Sequence, residues 1–262
     1  MLPYKSFAFN LAKKAGRIML RHFSSRIKKS YKLDHSPVTK ADLDINKLVI
    51  QGIKRHFPMH DVLGEEESHL VNSSEYAWVC DPIDGTIPYS YGIPVSVFSL
   101  ALTHHGKPIL GIVYDPFQKK IFFAEKGKGT TLNGKKIHVS PKKELEHAFI
   151  GMDWWWHTKY DFTSLYPTLQ SKNVHLINLG SITHMAALVA SGQLQATIFP
   201  GRKSHDTAAV KIIVEEAGGK VTDLFGEEQR YDQDIRGHIV SNGFLHQKLV
   251  KLVRDHILKN KR

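Results

Sequence analysis

The chain has 262 residues, of which 42% are hydrophobic and 23% are charged, and its formal net charge is +11 at pH 7. This composition excludes a disordered chain or a fibre. No apolar run approaches the roughly 18 residues of a membrane span, and Met1 to Lys5 are not followed by a continuous apolar leader. We therefore expect a protein that is neither inserted in a membrane nor secreted. The single cysteine, Cys80, excludes an intrachain disulfide and a cysteine-rich zinc site and favours a reducing compartment, by default the cytoplasm.

The first half of the chain predicts two helices followed by a set of strands. Apolar residues recur at intervals of three and four over residues 4–23, and again from a start at Thr39 or Asp42 to Pro58, which predicts two amphipathic helices. Apolar and β-branched runs separated by turn residues then predict an antiparallel meander. Its strands are expected at residues 78–80, 95–102, 109–114 and 120–124.

The second half predicts an alternation of strands and helices. Strands are expected at residues 148–152, 195–199, 220–222 and 238–241, and helices at residues 181–191, 207–217 and 245–256. The stretch Ser140-Pro141-Lys142-Lys143 is the only seam that the composition suggests. Because no linker or repeat separates the halves, we expect one compact unit, residues 1–262, built from a half at 1–140 and a half at 141–262.

The segment Asp81-Pro82-Ile83-Asp84-Gly85-Thr86 directly follows an apolar strand. Two carboxylates that converge at a strand end repel each other unless a cation lies between them, and carboxylate oxygens are the ligands that Mg²⁺ prefers. Gly85 would let the backbone approach a ligand, and a helix beginning at Thr86 would offer free amides to an anion. The alternative is a turn without a function, since Asp and Gly are common turn residues.

Two further segments carry acidic residues next to predicted elements. Glu65, in Gly64-Glu65-Glu66-Glu67-Ser68, follows the apolar pair Val62-Leu63 and is interpreted either as a metal ligand at a strand end or as part of a solvated loop. Asp206 has the position of a helix N-cap before Thr207, and a capping carboxylate can also bind a metal.

In this order, Gly64-Glu65-Glu66, the segment from Asp81 to Thr86, and Asp206-Thr207-Ala208-Ala209 with Glu216-Ala217-Gly218-Gly219 closely resemble the three signatures of the inositol monophosphatase family. This family belongs to a superfamily of Mg²⁺-dependent phosphatases of the lithium-sensitive type. The resemblance spans nearly the whole chain. It implies a layered α+β fold, an αβαβα five-layer sandwich, in a hydrolase that is often a homodimer.

The resemblance implies a set of metal ligands, with two or three Mg²⁺ ions per site. Glu65, Asp81 and the carbonyl of Ile83 would bind one ion, while Asp81, Asp84 and Asp206 would bind the second, with Asp81 shared. Two such ions can clamp the attacking water and the leaving oxygen of an in-line phosphoryl displacement.

The resemblance also implies catalytic and substrate-binding residues. Thr86 and Asp42, together with Glu65, would orient and deprotonate the attacking water. Gly85 and Thr86 would hold the phosphate through their amides, and Ser181 and His205 would contact the substrate.

Three features depart from the family pattern. His205 stands where much of the family has Trp. Phe199 stands where inositol phosphatases have a Glu that binds the sugar, and a phenyl ring cannot accept hydrogen bonds from inositol hydroxyls. The runs Ile87-Pro88-Tyr89-Ser90-Tyr91-Gly92 and Trp154-Trp155-Trp156 have no simple explanation in the family pattern, and core packing is the simpler explanation for any one aromatic side chain. Three adjacent Trp cannot all face inward on a strand, so at least one of these rings is expected to line a pocket or an interface.

The sequence therefore predicts Mg²⁺-dependent hydrolysis of a small phosphomonoester, of the inositol 1-phosphate type. Histidinol phosphate, fructose 1,6-bisphosphate and 3′-phosphoadenosine 5′-phosphate are the alternative substrates. The basic charge favours an anionic partner, although a solubilising surface is the simpler explanation of scattered basic residues. The alternative from another functional class is a non-catalytic protein with the same fold that binds an anion or nucleic acid. That alternative predicts the loss of at least one metal-binding carboxylate, whereas Glu65, Asp81, Asp84 and Asp206 are all present.

Overall fold

Two helices and a short hairpin begin the protein, whose computed structural model describes residues 4–24, 27–33, 35–71, 74–153 and 158–259. Helix α1 is Tyr4–His22 and helix α2 is Lys40–His56, in agreement with the predicted helices. Between them, β1 (Lys29–Tyr31) and β2 (Pro37–Thr39) form an antiparallel pair that the sequence did not predict. Thr39 precedes α2 as its N-cap.

A seven-stranded sheet contains the predicted meander. Its strands are β3 (Asp61–Gly64), β4 (Tyr76–Asp84), β5 (Val97–His104), β6 (Lys107–Asp115), β7 (Lys120–Glu125), β8 (Thr130–Leu132) and β9 (Lys135–Lys136). Neighbours in the sheet follow the chain order, with β3 and β4 parallel and every other pair antiparallel. Strand β4 extends four residues past its predicted end, so Asp81 and Asp84 belong to the strand itself. Helix α3 (Thr86–Ser90) begins at Thr86, as predicted.

A five-stranded mixed sheet forms the second half, with the order β11, β10, β12, β14, β13. Its strands are β10 (Phe149–Met152), β11 (His175–Ile177), β12 (Ala196–Phe199), β13 (Lys220–Thr222) and β14 (His238–Ser241). Its helices are α4 (Leu165–Gln170), α5 (Ile182–Ala190), α6 (Ala208–Glu216) and α7 (His246–Lys259). Helix α4 and strand β11 were not predicted, because each is too short to show a clear hydrophobic period.

The helices and sheets alternate in five layers. Helices α1 and α2 bury apolar side chains such as Leu11 and Ile45 against one face of the seven-stranded sheet. Helices α5 and α6 lie between the two sheets, in a core that joins Val113 and Phe122 to Ile213 and other C-terminal residues. Helices α4 and α7 cover the outer face of the five-stranded sheet. The predicted αβαβα sandwich is therefore confirmed.

Among the described residues, no helix combines the length and the apolar character that crossing a bilayer requires. The predicted role of Trp154-Trp155-Trp156 lies outside the described residues.

Candidate active site

Four carboxylates meet where β3, β4 and the segment before α6 end, and we call Glu65, Asp81, Asp84 and Asp206 the carboxylate cluster. Oxygens of Asp81, Asp84 and Asp206 lie within 4.8 Å of one another, and ligand atoms of Glu65, Asp81 and His205 do so as well. Asp81 is thus common to both groups. The structure brings together all four side chains that the sequence predicts as metal ligands, although Glu65, Asp81 and Asp206 are far apart in the chain.

Strand β4 changes its pairing register between Asp81 and Asp84. Residues three apart in a regular strand point to opposite faces, and an irregular register is the usual way to re-aim one of them. The amide of Ile83 donates a hydrogen bond of 3.0 Å to Oδ1 of Asp81. This local bend allows both aspartates to reach the same cluster.

Burial and mutual repulsion perturb these carboxyl groups. Burial, followed by the charges of Glu65 and Asp84, raises the pKa of Asp81 well above its usual range, and burial and Asp84 do the same for the pKa of Asp206. Burial also raises the pKa of Asp84 to about 6, against the opposing effect of its hydrogen bonds. Such a site favours a cation that removes the repulsion.

Asp84 is held by the beginning of α5. Its Oδ2 accepts hydrogen bonds from Oγ of Ser181 at 2.8 Å and from the amide of Thr183 at 2.6 Å. Since the side chain of Ser181 is buried and used in this way, the geometry favours an orienting role for Ser181 over the predicted substrate contact. Thr183 was missed, because a contact between residues 99 apart leaves no local signal in the sequence.

Thr86 and Asp42 form the predicted hydroxyl and carboxylate pair. The hydroxyl of Thr86 lies 3.2 Å from Oδ1 of Asp42 and 2.9 Å from the carbonyl of Ile83. The second oxygen of Asp42 accepts hydrogen bonds from the amide and the hydroxyl of Thr39, at 2.8 Å and 2.5 Å. Burial is the main cause that raises the pKa of Asp42 to about 7. The cap of α2 therefore fixes a carboxyl group that can exchange a proton near neutral pH.

Gly85 connects β4 to α3 with a φ of +88°, in the left-handed region that favours glycine. A Cβ at this position would lie 2.9 Å from Cβ of Ser181. The carbonyl of Gly85 accepts a 2.7 Å hydrogen bond from Ser96. A side chain here would therefore push α3 away from α5, and Thr86 with it.

Lys32, just after β1, was missed by the sequence reasoning. Its ammonium group lies 2.7 Å from a carboxylate oxygen of Glu65 and 2.7 Å from one of Glu66. Burial tends to lower the pKa of Lys32, but the charge of Glu65 and the two ion pairs raise it overall. No local signal separates this lysine from its basic neighbours in the sequence, because only the β1 and β2 hairpin brings it to the cluster.

A cleft lies beside the carboxylate cluster. It is lined by Leu63, Gly64, Glu65, Lys203, Ser204, His205, Asp232, Gln233 and Asp234. His205 lines this cleft, with Nε2 3.7 Å from Oδ1 of Asp206, and burial lowers its pKa. Phe199 is only 2% exposed, its ring packs near His238, and it is not among the residues that line this cleft.

Asp206 does not cap a helix, which corrects a prediction. It ends a short 3₁₀ turn, Ser204–Asp206, and Thr207 is the residue before α6. The turn directs the carboxylate of Asp206 to Asp81 and Asp84 instead of to the amides of α6.

The donor set fits a divalent cation such as Mg²⁺. The converging groups are mainly carboxylate oxygens, which is the oxygen chemistry that Mg²⁺ selects. His205 adds a nitrogen at one side only.

Comparisons with known proteins show the family and the fold of this chain. The model of the "Inositol monophosphatase family" matches residues 2–258. A fructose-1,6-bisphosphatase/inositol-1-monophosphatase of Thermotoga maritima is 32% identical over 95% of each chain. A Nus factor SuhB of Pseudomonas aeruginosa is 28% identical over 98% of each chain, and a histidinol-phosphatase of Chlorobaculum parvum is 30% identical over 97% of each chain.

Solved structures match over similar lengths. The Thermotoga maritima IMPase has a TM-score of 0.88 and 30% identity over 98% of each chain. An IMPase/NADP phosphatase complexed with Mg²⁺ and phosphate has a TM-score of 0.84 and 26% identity, over 95% of this chain and 94% of that one.

Proposed function

This chain belongs to the inositol monophosphatase family, and we propose that it is a Mg²⁺-dependent phosphatase acting on a small phosphorylated metabolite. One observation carries the proposal: Asp81 is shared by two groups of ligand atoms, which is the arrangement a pair of neighbouring cations requires. The fold and the family are shown by the comparisons, whereas the ligands, the mechanism and the substrate are our proposals.

Glu65, Asp81 and the carbonyl of Ile83 would hold one Mg²⁺, and Asp81, Asp84 and Asp206 would hold a second. Bound there, the ions would lower the pKa of a water molecule and offset the charge that develops on the phosphate. The raised pKa values of Asp81 and Asp206 support this assignment, because a cation would offset both the burial of these charges and the repulsion between them, which together raise the values.

Thr86 and Asp42 would position the attacking water and remove its proton. The hydroxyl of Thr86 is a donor to Asp42, so it can accept a proton from water while passing its own to that carboxylate. A carboxyl with a pKa of about 7 is well matched to general base catalysis at neutral pH. Thr39 would keep Asp42 in the required orientation.

Gly85 and Thr86 would hold the phosphate with their amides, and His205 would contact the leaving group from the cleft. Ser181 would act on the site through Asp84. Lys32 would balance the charge of Glu65.

Inositol 1-phosphate is the first substrate to test. Histidinol phosphate, fructose 1,6-bisphosphate and 3′-phosphoadenosine 5′-phosphate are alternatives, and relatives of this chain are named for the histidinol and fructose activities. The cleft wall formed by residues 203–205 and 232–234 is where the choice among them would be made. A non-catalytic role is the other reading, since a relative of similar length is named as a Nus factor.

The test is phosphate release from these four compounds and from glycerol 2-phosphate, with Mg²⁺ and after chelation with EDTA. We expect hydrolysis of at least one compound, only with Mg²⁺. Folded protein that binds Mg²⁺ and releases no phosphate from any of them would contradict the phosphatase proposal and favour the non-catalytic reading.

We also propose a cytoplasmic homodimer in which residues 1–140 and 141–262 act as one unit. The buried free thiol of Cys80 is consistent with a reducing compartment. Light scattering of the purified protein measures the assembly state directly.

A further inference from the structure

A second group of metal-ligating side chains lies at the opposite end of β4 from the carboxylate cluster. Tyr76 begins β4 and pairs with His104, the last residue of β5, while Glu75 and His105 are their next neighbours in the chain. Asp81 lies five positions after Tyr76 along the strand, which is about 17 Å at the usual rise of a strand. The group is therefore distinct from the candidate active site.

The carboxylate of Glu75 faces both histidines. Its Oε2 lies 3.7 Å from Nε2 of His104, and its Oε1 lies 3.8 Å from Nε2 of His105. The ligand atoms of the three residues all lie within 4.8 Å of one another. Two imidazoles and one carboxylate thus converge on a single point at the surface.

The backbone explains why two neighbouring histidines share one side. Consecutive strand residues point to opposite faces, yet the rings of His104 and His105 are only 4.2 Å apart. His105 has a φ of +50°, since it begins the turn into β6, and its amide donates a 2.8 Å hydrogen bond to the carbonyl of Glu75. The turn therefore brings the second ring back over Glu75.

Stacked rings hold His104 in place. Its ring lies on Tyr76, with centroids 4.5 Å apart and planes 20° apart, and Tyr76 stacks on His60 at 4.8 Å and 13°. His60 in turn accepts a 3.1 Å hydrogen bond from the indole of the buried Trp78. A ring that is already fixed loses little freedom on binding, which is how neighbouring groups support metal ligands.

We propose that Glu75, His104 and His105 form a binding site for a divalent transition-metal ion of the Zn²⁺ class. Imidazole nitrogens select Zn²⁺, Co²⁺ or Ni²⁺ over Mg²⁺. Ligands about 2.0 to 2.1 Å from a tetrahedral Zn²⁺ lie roughly 3.4 Å apart, so distances of 3.7 and 3.8 Å require only small side-chain movements.

A metal at this site would link the start of β4 to the turn between β5 and β6. Without a metal, exposed histidine and glutamate pairs contribute little to stability. With a metal, the folded state gains free energy in proportion to the logarithm of the metal concentration. Three protein ligands leave a position for water or for a donor from another molecule.

The experiment is a calorimetric titration of the full chain with Zn²⁺ in excess Mg²⁺, which keeps the carboxylate cluster supplied with its own ion. The test variants are Glu75→Gln and His105→Asn, because Asn tolerates a positive φ and should preserve the turn. The control is His147→Asn, since His147 is also exposed, has a φ of +54° and lies 4.0 Å from Glu146.

We expect the wild type and the control His147→Asn to bind Zn²⁺ with the same affinity. In both test variants the Zn²⁺ affinity should fall at least tenfold, which corresponds to about 1.4 kcal/mol. The nitrogen NMR signals of His104 and His105 should shift on Zn²⁺ addition, while Mg²⁺-dependent phosphatase activity stays unchanged in the variants. Equal Zn²⁺ affinity in wild type and His105→Asn, or signals of these two rings that do not move, would overturn the proposal.

Discussion

Two groups of charged residues in this protein, one around Asp81 and one around Lys211, are built in opposite ways. In the carboxylate cluster, four groups of the same charge converge; burial and then repulsion by neighbouring carboxylates raise the pKa values of Asp81 and Asp206, and burial raises that of Asp84. On α6, the ammonium group of Lys211 lies 2.8 Å from Glu215 and 2.6 Å from Glu228, and also 2.9 Å from the carbonyl of Val221. We call these four residues the lysine network.

The two groups of charges differ in whether they stabilise the folded protein without a ligand. The lysine network contains its own counter-charges, so it contributes to the folded state whatever is bound. The carboxylate cluster is left with uncompensated repulsion, which a cation relieves on binding. A group of charges that destabilises the metal-free protein is thereby available to bind a ligand.

Asp81→Asn should have the largest effect, because Asp81 belongs to both groups of ligand atoms. We expect kcat/KM to fall roughly a thousandfold or more, about 4 kcal/mol of transition-state stabilisation. The metal-free protein should be as stable as wild type or more stable in urea, since one repulsive charge is gone. Asp44→Asn, at a partly exposed carboxylate on α2, is the control and should change neither property. Wild-type activity in Asp81→Asn would remove the metal assignment.

Thr86→Ala should lower kcat by about two to four orders of magnitude, the usual contribution of a positioned proton-transfer group. Its hydroxyl touches Asp42 and the Ile83 carbonyl and is not itself proposed as a ligand. Mg²⁺ affinity should therefore change much less than kcat, and Thr86→Ser should recover most of the rate. A variant with unchanged kcat and weakened Mg²⁺ binding would reverse the proposed role.

Lys211→Met should act on stability alone. Glu215 and Glu228 lose their shared partner, and we expect the free energy of unfolding to fall by about 2 to 3 kcal/mol, less than for a fully buried pair because Glu228 is largely exposed. Activity with Mg²⁺ should be retained in the folded variant. Lys220→Met, at the exposed partner of Glu228, should cost less than about 1 kcal/mol. Equal losses in the two variants would contradict the larger contribution assigned to the poorly exposed ammonium group of Lys211.

His238 extends the comparison to a buried base without a counter-charge. Burial lowers its pKa to about 3, and its ring lies 2.7 Å from the hydroxyl of Thr207. A base whose pKa is lower in the folded state than in the unfolded state makes the protein less stable at low pH. Its contribution to stability is complete above the pKa of the unfolded state, about 6.5, and is lost as the pH falls toward the pKa of the folded state.

Between pH 6.5 and 4, wild type should thus lose about 2 to 3 kcal/mol more than His238→Gln. Urea unfolding at several pH values measures the difference. Parallel pH profiles of the two proteins would show that His238 is not kept neutral by burial.

The sequence predicted those parts of the molecule that local patterns encode. Hydrophobic periodicity predicted the meander, and acidic residues placed directly after apolar runs predicted the carboxylates at strand ends. The sequence also predicted the helix that begins at Thr86. The αβαβα layers were expected from the family resemblance and were confirmed. The hairpin of β1 and β2, with only three residues in each strand, gave no such pattern.

The remaining features depend on contacts between distant residues. Ser181 reaches Asp84 across 97 residues, and Lys32 reaches Glu65 across 33. The burial of Phe199 at the end of β12 likewise depends on packing, which its position in the chain does not reveal. The sequence predicted Asp206 as a helix cap because capping rules use only neighbouring residues. Those rules do not include contacts with carboxylates on other strands.

The stoichiometry of divalent cation binding tests the central claim most directly. Calorimetric titration with Mg²⁺, or with Mn²⁺ followed by electron spin resonance, should detect at least two ions in wild type. Glu65→Gln and Asp206→Asn, each in only one group of ligand atoms, should each lose one ion, and Asp81→Asn should lose both. Asp81→Asn protein that still binds the wild-type number of ions with unchanged affinity would contradict the account.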